Sequence, residues 1–171
     1  MGIISLGRIG RATARIAFGF GMKVFAATSK SRLQVPLDIK IKPIDDIFKE
    51  CDIISLHTPL TAKTRHMINA ERLAMMKPTA ILINTSRGQL INEDDLAKAL
   101  NEGKIFAAGL DVLSTEPPKA DNPLLTARNC FITPHIAWAT TAARTRLMMI
   151  MVDNIKGFLE GKVINNIANK I

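Results

Sequence analysis

The sequence predicts an α/β fold: a doubly wound parallel sheet between two layers of helices, a three-layer αβα arrangement. Three observations predict it. Short apolar runs rich in β-branched residues recur along the chain, helical periodicities lie between them, and several of the runs are apolar throughout, as strands buried on both faces must be. Strand and helix therefore alternate, which argues for parallel strands joined by right-handed crossovers.

The first strand is expected over 2–6, followed by a helix whose stripe is Ile9, Ala12, Ile16 and Phe20. Further strands are expected at 23–27 and 53–56. A helix covering 73–76 precedes the strand at 80–83. The helix over 95–100 stands behind Asn92 as N-cap, with Glu93 and Asp94 in its first turn, where carboxylates suit the helix dipole. Strands at 106–112 and 131–133 complete the sheet. The last pattern runs from about 140 to 160, with Met148, Met151, Ile155 and Phe158 at steps of three and four, a stripe expected to fill core. One domain is expected over 1–163, and 164–171 reads as a polar tail.

Bulk properties narrow the function classes. At 171 residues the chain can bury one sizeable core, 47% of it is hydrophobic, and no run reaches the length of a membrane span. The start lacks the features of a secretory signal, so a cytoplasmic location is expected. Cys51 and Cys130 lie far apart without a CxxC, which predicts reduced thiols and no metal site. The net charge of +8 raises nucleic acid as a partner. Its basic residues crowd the first quarter (Arg8, Arg11, Arg15, Lys23, Lys30, Arg32, Lys40, Lys42), and the chain has no Tyr to interleave with them. A phosphate-rich cofactor accounts for that charge better than a nucleic acid does.

Ser5-Leu6-Gly7-Arg8-Ile9-Gly10 sits where the first strand turns into the first helix. A dinucleotide site needs small residues there, so that the backbone approaches the pyrophosphate and helix N–H groups point at it. Ser5 replaces the first glycine of that pattern, a substitution compatible with the motif only if the position avoids positive φ. Read alone, the motif also fits an ordinary turn. About twenty residues on, an NAD-preferring site places a carboxylate for the ribose hydroxyls. Here the segment is Ala26-Ala27-Thr28-Ser29-Lys30-Ser31-Arg32, whose hydroxyls and cations suit a 2′-phosphate instead. NADPH is expected in preference to NADH.

Three later segments follow successive strands: Asn84-Thr85-Ser86-Arg87-Gly88, Asp111-Val112-Leu113-Ser114-Thr115-Glu116-Pro117, and Thr133-Pro134-His135-Ile136-Ala137-Trp138. Arg87, Glu116 and His135 thus arrive at strand ends, where open α/β sheets bind ligands. Singly each fits a structural role. Their joint arrival at three successive strand ends favours a functional site over three separate structural roles.

With Leu6-Gly7-Arg8-Ile9-Gly10, His57-Thr58-Pro59-Leu60-Thr61, Met76-Lys77-Pro78, Gly109-Leu110-Asp111-Val112 and Glu116-Pro117 added, the chain resembles the D-isomer-specific 2-hydroxyacid dehydrogenases. Asp121-Asn122-Pro123-Leu124-Leu125 and His135 to Trp138 are most similar to the glycerate dehydrogenase, or hydroxypyruvate reductase, branch. The resemblance implies a Rossmann-type domain that binds NAD(P). It implies that Arg87 binds the substrate carboxylate and carbonyl, that His135 is the general acid, and that Glu116 holds the imidazole. Cofactor contacts are implied at Gly7, Arg8, Ile9 and Gly10 for the pyrophosphate, at Thr58 and Pro59 on the adenosine side, and at Asp111 beside the carboxamide. Thr28, Ser29, Lys30 and Arg32 complete the adenosine end, while Thr85, Ser86, Arg87 and His135 join the cofactor set. His57 and His66 match no acid position and are expected to be structural. Trp138 fits either a substrate contact or core.

In the family a substrate domain precedes the dinucleotide fold, so the chain is expected to lack it, with 164–171 returning toward it. A homodimer is implied, as is weak turnover by this chain alone. A cofactor-sensing, corepressor-like binding protein is the alternative on the same fold.

Overall fold

A computed structural model describes residues 1–36 and 38–166, apart from the Arg32 side chain. The expected tail therefore lies partly outside the described residues. The chain divides into two compact units, Met1–Pro134 and His135–Ile171.

The first unit is built on seven parallel strands: β1 (Gly2–Ile4), β2 (Phe25–Ala27), β3 (Lys40–Ile41), β4 (Ile53–Leu56), β5 (Ile81–Asn84), β6 (Ala107–Leu110) and β7 (Cys130–Ile132). Their order is β3-β2-β1-β4-β5-β6-β7. β1 pairs with β2 on one side (Ile3 opposite Ala26) and with β4 on the other (Ile3 opposite Ser55). The winding direction reverses there, and the crevice for a ligand in such a sheet opens at that point. Because every pairing is parallel, all strand C-termini reach one edge.

Alternation along β1 separates the two cores. Ile3 joins Leu6, Ala14, Ala17, Val24 and Val35 on one face, beneath α1 (Arg8–Gly19). Ile4 faces the other way, into a cluster with Phe48, Leu56, Leu73, Leu82 and Leu96. That face is covered by α2 (Ile44–Glu50), α3 (Ala70–Met75) and α4 (Glu93–Asn101). The caps are local: Asn69 accepts from the Arg72 N–H at 3.1 Å, and Asn92 accepts from the Asp95 N–H at 3.3 Å, as its position before Glu93 predicts.

α1 forms where its periodicity predicts a helix, but the face it buries is the opposite one. Gly10, Ala14 and Ala17 lie against the sheet, while Ile9, Ile16 and Phe20 are exposed. A Cβ on Gly10 would stand 2.4 Å from the Ser5 carbonyl oxygen, so the helix packs too closely on the turn for large side chains on its inner face.

The second unit contains α5 (Thr141–Leu159), started by Thr140, whose hydroxyl accepts from the Ala143 N–H at 3.2 Å. Met148, Met151, Ile155 and Phe158 are exposed in this chain, contrary to the core role expected of them. α5 also carries Leu147, Met149, Ile150 and Val152, so apolar side chains surround its axis and define no single inward stripe. Among the described residues no helix is long and apolar enough to cross a membrane. Both cysteines are free thiols, as their spacing predicts, and burial pushes Cys51 up and Cys130 up to about 11, which keeps both protonated.

Candidate functional site

β1 hands over to α1 through the glycine turn. Gly7 is the N-cap residue, no side chain caps the helix, and its first turn holds no acid. A Cβ on Gly7 would meet nothing within 4 Å, so the turn leaves open space in front of the uncapped N–H groups of Arg8, Ile9 and Gly10. An anionic pyrophosphate fits such a terminus. Ser5 departs from expectation. Its φ is 73°, in the left-handed region, so this serine occupies a backbone conformation that suits glycine and does so at a cost of about 1 kcal/mol. The turn is tied across the sheet by the Ser5 N–H donating to the Ala27 carbonyl at 2.8 Å.

After β2, the Thr28 hydroxyl accepts from the Lys30 N–H at 3.2 Å, and Ser29 is exposed. Arg32, one of the expected cations, has its side chain outside the described residues. Arg11 reaches across from α1 and donates to the Gln34 carbonyl at 2.6 Å. Arg8, Arg11, Arg15, Phe18 and Asp38 border a cavity of about 480 Å3 on that side. Three of the basic residues of the first quarter, Arg8, Arg11 and Arg15, thus share one cavity.

At the end of β4, the buried Ser55 hydroxyl and His57 Nε2 lie 3.0 Å apart. Burial lowers the pKa of His57, which keeps the imidazole neutral and supports the structural role expected of it. Thr58 and Pro59 follow directly, Thr58 half-buried and Pro59 exposed.

The turn after β5 is held by two side chains. Asn84 is fully buried; its Oδ1 accepts from the Ser86 N–H at 3.0 Å, and its Nδ2 donates to the Arg87 carbonyl at 2.9 Å. Ser86 adds a bond from its hydroxyl to the Leu56 carbonyl at 2.7 Å. Thr85 and Arg87 are left exposed on a fixed backbone, with the Arg87 guanidinium donating to the Ser86 carbonyl at 2.6 Å.

The loop after β6 is docked onto this turn. A Cβ on Gly88 would fall 1.9 Å from the Leu113 carbonyl carbon and 2.3 Å from the Ser114 nitrogen, so only glycine admits the contact. Gln89 Nε2 donates to the Ser114 carbonyl at 2.7 Å. Glu93 accepts from the Ser114 N–H and hydroxyl, both at 2.7 Å, and from Asn122 Nδ2 at 2.9 Å. Within the loop, Glu116 Oε1 accepts from the Leu113 N–H at 3.2 Å. Arg87 and Glu116 are therefore carried by two loops that share a rigid seam. Asp111, 4% exposed, accepts from the Thr133 hydroxyl at 2.6 Å.

His135 opens the second unit with φ of 55°. Its carbonyl accepts from Trp138 Nε1 at 3.0 Å, and Trp138 is exposed rather than filling core. Sequence reasoning assigned no role to the Asn84 side chain, Gln89 or Thr133. Glu93 reads locally as a dipole-stabilising first-turn acid; its reach to a loop far along the chain has no local signature.

Residues 1–137 match the family described as the D-isomer specific 2-hydroxyacid dehydrogenase, NAD binding domain. The chain belongs to this family. The hydroxypyruvate reductase of Blautia hydrogenotrophica is 50% identical over 99% of this chain and 53% of its own length. The glyoxylate reductase of Korarchaeum cryptofilum is 42% identical over 99% of this chain and 52% of its own. Among solved structures, the NAD-complexed D-isomer specific 2-hydroxyacid dehydrogenase of Lactobacillus delbrueckii ssp. bulgaricus superposes with a TM-score of 0.88 at 33% identity, covering 96% of this chain and 54% of that one. The chain thus spans about half the length of the curated relatives it matches. Its sheet is the Rossmann-type α/β fold of that family.

Proposed function

We propose that the chain is the cofactor-binding half of an NAD(P)H-dependent reductase of small 2-keto acids, with hydroxypyruvate to D-glycerate the favoured reaction. The observation that carries this reading is the seam that sets the Arg87 turn and the Glu116 loop side by side at the C-terminal edge of the sheet. When bound, NAD(P)H supplies the hydride. The N–H groups at Gly7, Arg8, Ile9 and Gly10 hold the pyrophosphate, Thr58 and Pro59 border the adenosine, and Asp111 accepts from the carboxamide. Arg87 pairs with the substrate carboxylate and orients the carbonyl, where its fixed charge also offsets the negative charge growing on oxygen. His135 delivers the proton to that oxygen, and Glu116 holds the imidazole in place.

NADPH is preferred in this reading, since 26–32 holds hydroxyls and cations and no carboxylate. A homodimer and a cytoplasmic location accompany it by analogy with the family. Titration of the chain with both reduced cofactors tests the preference: tighter NADPH binding supports it, and tighter NADH binding overturns it. In the longest natural polypeptide carrying this chain, His135→Ala should lower hydroxypyruvate reduction by about a hundredfold or more. An unchanged rate removes His135 as the acid, and cofactor binding without any turnover by the parent favours a cofactor-sensing protein.

A further inference from the structure

Thr133 and Asp111 emerge side by side, one residue beyond the last paired rung of β6 and β7, where Leu110 lies opposite Ile132. The Thr133 N–H extends the ladder by donating to the Leu110 carbonyl at 2.9 Å. On the other side, the Asp111 N–H donates to the Asn84 carbonyl at 2.9 Å. The Asp111 backbone is thereby pinned from β5, and its carboxylate receives the Thr133 hydroxyl at 2.6 Å, the short distance of a charge-assisted bond.

Three features set this bond apart from ordinary packing. Thr133 is an exposed residue, so its side chain contributes little by burial, whereas the carboxylate it meets is almost wholly buried. A hydroxyl also holds a carboxylate without cancelling its charge, as Arg or Lys would. A β-branched donor restricted at χ1 keeps that bond in one orientation.

We infer that Thr133 is a positioning residue for the nicotinamide end of the cofactor. Its hydroxyl fixes the Asp111 carboxylate in the rotamer that accepts the carboxamide N–H. The inference rests on the reading of Asp111 as the carboxamide partner, and the test separates the two.

The test compares two ligands on the 171-residue chain: the reduced cofactor it binds more tightly, and the matching ADP-ribose or 2′-phospho-ADP-ribose, which lacks nicotinamide. Thr133→Val should weaken the reduced cofactor by about tenfold and leave the truncated ligand within about twofold, while Thr133→Ser stays close to the parent. Binding of the truncated ligand also reports that each variant is folded. Equal losses for both ligands, or no loss for either, overturn the inference. Asp111→Asn should also narrow the gap between the ligands. If Asp111→Asn narrows it and Thr133→Val does not, Thr133 has no positioning role. If Asp111→Asn leaves it unchanged, the assignment of Asp111 fails and the inference fails with it.

Discussion

Glu93, at the start of α4, accepts from both the backbone N–H and the hydroxyl of Ser114, each at 2.7 Å. Asn122 adds a third donor to the same carboxylate. Three donors converging on one half-buried anion bind the whole 114–122 loop to a helix terminus that already favours negative charge. Glu93→Ala should lower unfolding free energy by about 2 to 3 kcal/mol in urea titration. Glu93→Gln should fall between Ala and parent, because its amide turns a donor toward at least one donor. Equal stability of the Ala variant and the parent would show that water replaces the carboxylate without loss.

At Gly88 the constraint is one of shape. A single added methyl would overlap the Leu113 carbonyl carbon at 1.9 Å, and the obstacle is backbone, which cannot rotate aside. Gly88→Ala should cost about 3 kcal/mol and shift the Arg87 turn as well. Thermal unfolding and amide hydrogen exchange over 85–89 and 111–116 would read both effects. Loss confined to one of the two loops contradicts the shared seam.

Ser5 offers a change in the opposite direction. Its φ of 73° is open to glycine without strain, and the extra chain freedom that glycine adds when unfolded offsets part of the relief. Ser5→Gly should raise stability by up to about 1 kcal/mol and leave cofactor affinity equal or improved. A drop in stability would mean that the serine side chain contributes more than its backbone costs.

His57 supplies a pH dependence. Burial lowers its pKa from the ordinary 6.5, so below that value the unfolded chain takes up a proton that the folded chain resists. Its contribution is complete above 6.5 and is lost as pH falls through the window beneath. His57→Gln keeps a polar partner for Ser55 and should flatten this decline. Urea midpoints for parent and variant between about pH 5 and 8 would show it, and a difference that does not vary with pH would contradict it.

Much of this arrangement was legible because parallel strands buried on both faces leave unmistakable apolar runs, and the residues just after 80–83, 106–112 and 131–133 must then share an edge. β3 was not legible: Lys40–Ile41 is two exposed residues long and has no alternation to reveal it. α2, at seven residues behind Pro43, is too short for a periodic signal. The stripe of α1 marked a helix but not the face it buries, since period says nothing about how closely the helix must lie to the sheet. That spacing is set by the contact between Gly10 and Ser5, which belongs to tertiary structure. The same applies to Glu93 and Thr133, whose partners are close in space and distant in sequence.

The contact of Gly88 with Leu113 and Ser114 also limits how this fold can be recombined. A chimera that takes residues 85–89 from one relative and 111–122 from another joins surfaces that never fitted together. Transplanted as a set with Glu93, the two loops travel as a single interchangeable cassette.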